Sequence, residues 1–149
     1  MMKNSMLALA ETAVEIAGML GCPLDYSAES IGPLDALLQP VYMEAMNGNL
    51  QDGTVQISAN AFGAYLGETL LRSGLADLGC DWMDNGEGVH GIGMEKDEFW
   101  ASPITKVYKR IIKGPYHNVK DFFEVVLGMA RDEIDPRKDP RTHVLSAEQ

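Results

Sequence analysis

The chain has 149 residues, 46% of them apolar and 23% charged, which suits one globular domain with an ordinary core and excludes a chain disordered throughout. Its 22 acids outnumber its 12 basic residues, and the imbalance is local: residues 1–100 hold 15 acids against Lys3, Arg72 and Lys96, a net of −12, whereas residues 101–149 stand at +2. Such a field repels nucleic acid and anionic lipid, so neither is expected as a partner, and it attracts a basic protein surface.

Residues Ser5 to Leu20 read as an amphipathic helix, with Met6, Leu9, Ala10, Ala13, Ile16, Ala17 and Leu20 at three- and four-residue steps. Lys3 and the apolar stretch after it resemble a signal peptide only superficially, because Glu11 and Glu15 interrupt the run. No segment approaches the roughly 20 apolar residues of a membrane span. Leu24-Asp25-Tyr26 runs extended into Ser27. Ile31, Leu34, Leu38 and Val41 then continue a helical stripe that Pro33 and Pro40 disturb, which predicts a turn and one short helix to about Gln39, broken at Pro40, with or without a second helix after it. Residues 47–53 are a loop.

Thr54 opens the longest helix, to about Arg72, with Val55, Ala59, Phe62, Leu66 and Leu70 as its apolar stripe. Ala59, Gly63 and Gly67 form an adjoining line of small residues that admits another backbone closely, against a cost of up to about 1 kcal/mol per glycine. Between Gly79 and Ala101 the period changes to short runs, Cys80 to Met83, Val89 to Met94 and Glu98 to Ala101, with Asn85-Gly86 as a hairpin signal. These predict a small antiparallel meander. Ser102-Pro103 starts the next helix, with serine as cap and proline at the first position. Asn118 caps the last helix, whose buried face is Val119, Phe122, Phe123, Val126 and Met129. The expected fold is therefore α+β, with four or five helices on a small antiparallel β-meander. It forms one domain over residues 1–131, followed by a polar, proline-interrupted tail over residues 132–149.

Catalytic and metal signatures fail on chemistry. Asp81 to Glu87 imitates a calcium loop, but aligning Gly86 with its sixth position puts Met83 at the third and Ile92 at the twelfth, where oxygen ligands belong. His90, His117, His143, Cys22 and Cys80 form no short-spaced ligand pair, so no metal site is expected. The two cysteines, far apart and outside any CxxC pattern, fit reduced thiols in the cytoplasm. No nucleophile elbow or P-loop is present, and the glycines of 88–93 follow a turn and do not open a helix. No catalytic residue and no cofactor are assigned.

Two constellations remain. Tyr65 and Glu68 share a side of the central helix, with Arg72 four residues after Glu68 at ion-pair spacing. Glu68 placed under the meander near Trp82 would instead contribute to a polar pocket of Tyr65, Glu68, Trp82 and Trp100. Lys106, Lys109, Arg110 and Lys113 share one helix face, read as a solvated basic face or as a docking patch for an acidic partner.

Leu24-Asp25-Tyr26-Ser27 with Ser30, Gly63-Ala64-Tyr65-Leu66-Gly67-Glu68, and the Trp82 strand leading to Pro103 and Lys109-Arg110 together resemble uncharacterised bacterial domains of unknown function. Those domains carry LDYS and GAYLGE motifs, and the resemblance spans about residues 5–130 of this chain. It implies a bacterial α+β domain without an established activity, and Tyr65, Glu68 and Trp82 as core-framework positions. Some domains of this style look like immunity proteins of toxin systems. Acidity, size and the lack of a catalytic motif give the functional expectation of a non-catalytic protein-interaction domain for a basic protein. Its expected acidic surface is Asp81, Asp84, Glu87, Glu95 and Asp97. The alternative is a small-ligand binder or enzyme using the Tyr65–Glu68–Trp82–Trp100 pocket.

Overall fold

The computed structural model describes residues 2–94, 99–133 and 138–141. Among them five α-helices pack on a three-stranded antiparallel sheet of order β1-β2-β3, which is the expected α+β architecture. The helices are α1 (Met2–Met19), α2 (Ile31–Met46), α3 (Asp52–Leu70), α4 (Pro103–Lys113) and α5 (Val119–Ala130). The strands are β1 (Asp81–Asp84), β2 (His90–Gly93) and β3 (Trp100–Ala101).

Helix α3 organises the core. Every residue from Ala61 to Gly67 is buried, as in a helix enclosed on all sides. The small-residue line makes that possible: a Cβ on Gly63 would overlap the backbone of Ile104 in α4, and a Cβ on Gly67 would overlap the Trp82 ring. The buried stripe of α1, Met6, Ala10, Ala13 and Ala17, also packs on α3, and its alanines keep that approach short.

Three sequence expectations need correction. Helix α2 does not break at Pro40 but runs through it. The lost N–H partner is the carbonyl of Ala36, and both residues are exposed, so water can take that bond. The α-helical part of α3 ends at Leu70, before Arg72. One π-helical turn follows over Leu71–Leu75, in which Gly74 takes φ 143°. Ser102 precedes α4 without a side-chain cap; its hydroxyl donates instead to Thr105 Oγ1 at 2.8 Å. Asn118 does cap α5, accepting from Asp121 N–H at 2.9 Å.

In the sheet Asp84 pairs with His90, and Asn85 N–H donates to the Val89 carbonyl at 3.0 Å. Asn85-Gly86 is therefore not a two-residue turn; Gly86-Glu87-Gly88 form the tip, with φ 88° at Gly86 and 86° at Gly88. Of the expected third run, Glu98 lies outside the described residues, as do tail residues 134–137 and 142–149. Within the described tail, Arg141 pairs with Glu124 of α5 at 2.6 Å and with Asp139 at 3.0 Å.

Candidate functional site

Alternation along the strands sorts the aromatic residues. Trp82 pairs with Ile92, and Ile92 with Ala101; all three are buried on the sheet face that meets α3. One residue on, Gly93 pairs with both Asp81 and Trp100, which therefore stand on the outer face. The four residues expected around one pocket are thus divided: Tyr65, Glu68 and Trp82 lie inside, while Trp100 faces away from them.

The inner three belong to one polar and aromatic relay. Trp82 Nε1–H donates to Glu68 Oε2 at 2.9 Å, and Glu68 Oε1 stands 3.9 Å from Arg72 Nη2. The Arg72 guanidinium lies 3.8 Å over the Tyr26 ring, whose centroid is 4.9 Å from that of Tyr65. Tyr65 Oη accepts from Tyr26 N–H at 2.7 Å and shares a 2.6 Å hydrogen bond with Ser30 Oγ. Ser30 Oγ in turn donates to the Ser27 carbonyl at 2.7 Å, which leaves Tyr65 as the donor to Ser30. These bonds hold Tyr26 in the left-handed region at φ 65°, an uncommon conformation for a bulky residue. Burial pushes the Tyr26 phenol above its ordinary pKa, opposed by the positive charge of Arg72. The LDYS entry and the GAYLGE helix are therefore one structural unit, with Tyr65 at its centre and fully buried.

On the outer face β2 contributes Gly91 and Gly93, and the Trp100 indole lies across both; a Cβ on either would meet the ring. Trp100 remains 39% exposed, against 5% for Trp82. A cleft of about 400 Å³, lined by Leu78, Gly79, Asp81, Trp82, Met83, Gly93 and Met94, reaches Gly93, over which the Trp100 ring lies.

The acidic residues are not equivalent. Asp81 pairs with Lys3 at 2.9 Å and accepts from Trp82 N–H at 2.8 Å. Asp84 accepts from Gly86 N–H at 2.6 Å and Gly88 N–H at 3.4 Å, and stands 3.5 Å from His90 Nε2. It therefore shapes the hairpin tip. Glu87 is exposed, and Glu95 and Asp97 lie outside the described residues.

The basic helix corrects a further expectation. Lys106 and Arg110 are 3% and 2% exposed, so the face they share is not solvated. Arg110 Nε donates to Asp35 Oδ1 at 2.9 Å, and its Nη2 to Gln39 Oε1 at 2.8 Å. Asp35 Oδ1 also accepts from Val119 N–H at 3.0 Å, so one carboxylate ties α2 to α4 and to the start of α5. Lys106 Nζ lies 2.9 Å from His117 Nδ1. Burial, and the charge of Lys109, lower the Lys106 pKa to about 7. Nothing in the local pattern of α4 marks which way this face turns, because Asp35 lies 75 residues away.

Fold and surface together define a small acidic α+β protein with a structural tyrosine relay inside its sheet and an open tryptophan platform outside it. No protein-family model, curated protein or solved structure matches the chain. Among the described residues no group of His, Cys, Asp or Glu could hold a metal ion, and no helix is long and apolar enough to cross a membrane.

Proposed function

We propose that the chain is a non-catalytic protein-interaction module whose acidic surface binds a basic partner protein in the cytoplasm. The observation that carries this reading is the contrast between paired or buried cations and exposed carboxylates that have no side-chain partner among the described residues. Lys3 lies against Asp81, Arg72 is stacked on Tyr26 beside Glu68, and Arg110 and Lys106 are buried. Glu11, Glu15, Asp52, Asp77 and Glu87, by contrast, are exposed and hold no side-chain hydrogen bond or ion pair among the described residues. These exposed carboxylates add to the net charge of −10, and a negative field steers basic proteins toward encounter. Cys22 and Cys80 are thiols, which supports a reducing compartment. An immunity-like protein that masks a basic toxin is one form this function takes.

The pocket alternative has less support, since the Tyr65 hydroxyl is committed to Tyr26 and Ser30 and Trp100 faces the other way. The test is fluorescence anisotropy with a labelled Lys/Arg-rich peptide, beside uncharged and acidic peptides of equal length. Wild type should bind only the basic peptide. The Glu11→Gln/Glu15→Gln/Glu87→Gln variant should bind it roughly fivefold more weakly, at a few tenths of a kcal/mol per exposed charge. Equal binding of all three peptides, or no binding of the basic one, would refute the reading.

A further inference from the structure

We infer that the outer face of the sheet is where the partner is gripped, with a lysine or arginine side chain of the partner seated on the Trp100 ring and Asp81 as its counter-charge. The inference rests on the interaction reading above and names its contact point.

The platform is built by the backbone. Gly91 and Gly93 alternate along β2, so this face of the strand carries no side chain, and the Trp100 indole fills the space over both. Glycine weakens a strand interior. Here it lets a large ring lie over the strand backbone while Trp100 stays 39% exposed. Met83 Sδ closes on Gly93 from the neighbouring strand, so the ring sits in an apolar frame. The exposed face of a tryptophan is the strongest aromatic site for a cation.

Charge decides the occupant. The cleft that shares Gly93 with the platform is lined by Asp81 with Met83 and Met94, and its described lining holds no cationic side chain. Lys3 already demonstrates the chemistry: its ammonium meets Asp81 Oδ2 at 2.9 Å while the Lys3 side chain stays 73% exposed. An exposed pair of that kind contributes little and exchanges readily, so an incoming cation can replace Lys3. Tryptophan and arginine are also the residues most enriched where interface binding energy concentrates.

The test uses the labelled Lys/Arg-rich peptide on the full chain. Trp100→Tyr, which keeps an aromatic face, should bind within about twofold of wild type. Trp100→Leu, which covers the glycines without one, should bind roughly three- to tenfold more weakly. Asp81→Asn should weaken binding, and Lys3→Gln should tighten it. Wild-type affinity in folded Trp100→Leu would show that the ring only covers Gly91 and Gly93, and would overturn the inference. If the Glu11/Glu15/Glu87 variant still bound weakly in that case, the interaction reading would stand. Should Trp100→Leu fail to fold, unchanged affinity in both Asp81→Asn and Lys3→Gln would overturn the inference instead. A dimer seen in sedimentation and abolished by Trp100→Leu would assign the face to a second copy, and would overturn it too.

Discussion

Replacing Arg110 with methionine probes the buried ion pair that ties α2 to α4. The guanidinium is 2% exposed and binds Asp35 at 2.9 Å and Gln39 at 2.8 Å. Methionine fills most of the stem's volume but leaves the Asp35 carboxylate, whose side chain is 15% exposed, with Val119 N–H and the Asn118 side chain as its partners among the described residues. Breaking a buried pair in this way costs about 3–5 kcal/mol, because the remaining charge is desolvated and uncompensated. That is a large share of the roughly 5–15 kcal/mol by which domains are stable. At about 2–4 °C per kcal/mol for this chain length, the Tm should fall on the order of 10 °C. Removing both charges, as in Asp35→Leu/Arg110→Met, should recover part of the loss, although the orphaned Val119 N–H still costs about 1 kcal/mol. Urea denaturation followed by circular dichroism measures both variants. A cost under about 1 kcal/mol for Arg110→Met, or a double variant no better than the sum of the singles, would show that the pair does not hold α4 to α2 and α5.

Gly67→Ala should destabilise by more than the 1–3 kcal/mol usual for overpacking, because the new methyl meets the buried Trp82 ring, and a neutral result in the same assay would place that ring elsewhere. Lys106 supplies a pH dependence. Its folded pKa of about 7 lies below the unfolded value of about 10.4, so between those limits the unfolded chain holds a proton that the folded chain has released. Its contribution to stability therefore rises with pH across that window, and the full penalty is present below about pH 7. Lys106→Met, relative to wild type, should gain more at pH 6 than at pH 9; equal differences at both pH values would show that Lys106 titrates normally.

Local chemistry carried much of the fold. Apolar spacing gave α1 and α3, the Asn118 cap gave the start of α5, and the change of period after Gly79 gave the sheet. What failed depended on distant partners or on register. Pro40 passes through α2 because its site is exposed, which the sequence around it does not reveal. Lys106 and Arg110 turn inward because Asp35 and His117 await them, and an unpaired reading of four cations on one face defaults to solvent. The candidate pocket went wrong by parity: Trp82 and Trp100 fall on opposite faces once Ile92 is paired with Ala101. A usable signal was present in Gly91 and Gly93, whose spacing strips one face of β2 and calls for an aromatic cover.

The most direct test of the interaction reading is the association rate of the basic peptide, followed by stopped flow across a salt series. Charge-steered encounter should be roughly tenfold or more faster at low salt and should slow as screening shortens the field to about 8 Å at physiological ionic strength. The Glu11→Gln/Glu15→Gln/Glu87→Gln variant should show a shallower dependence. A rate that changes with neither salt nor these substitutions would contradict the reading and leave the acidic surface as a device for solubility alone.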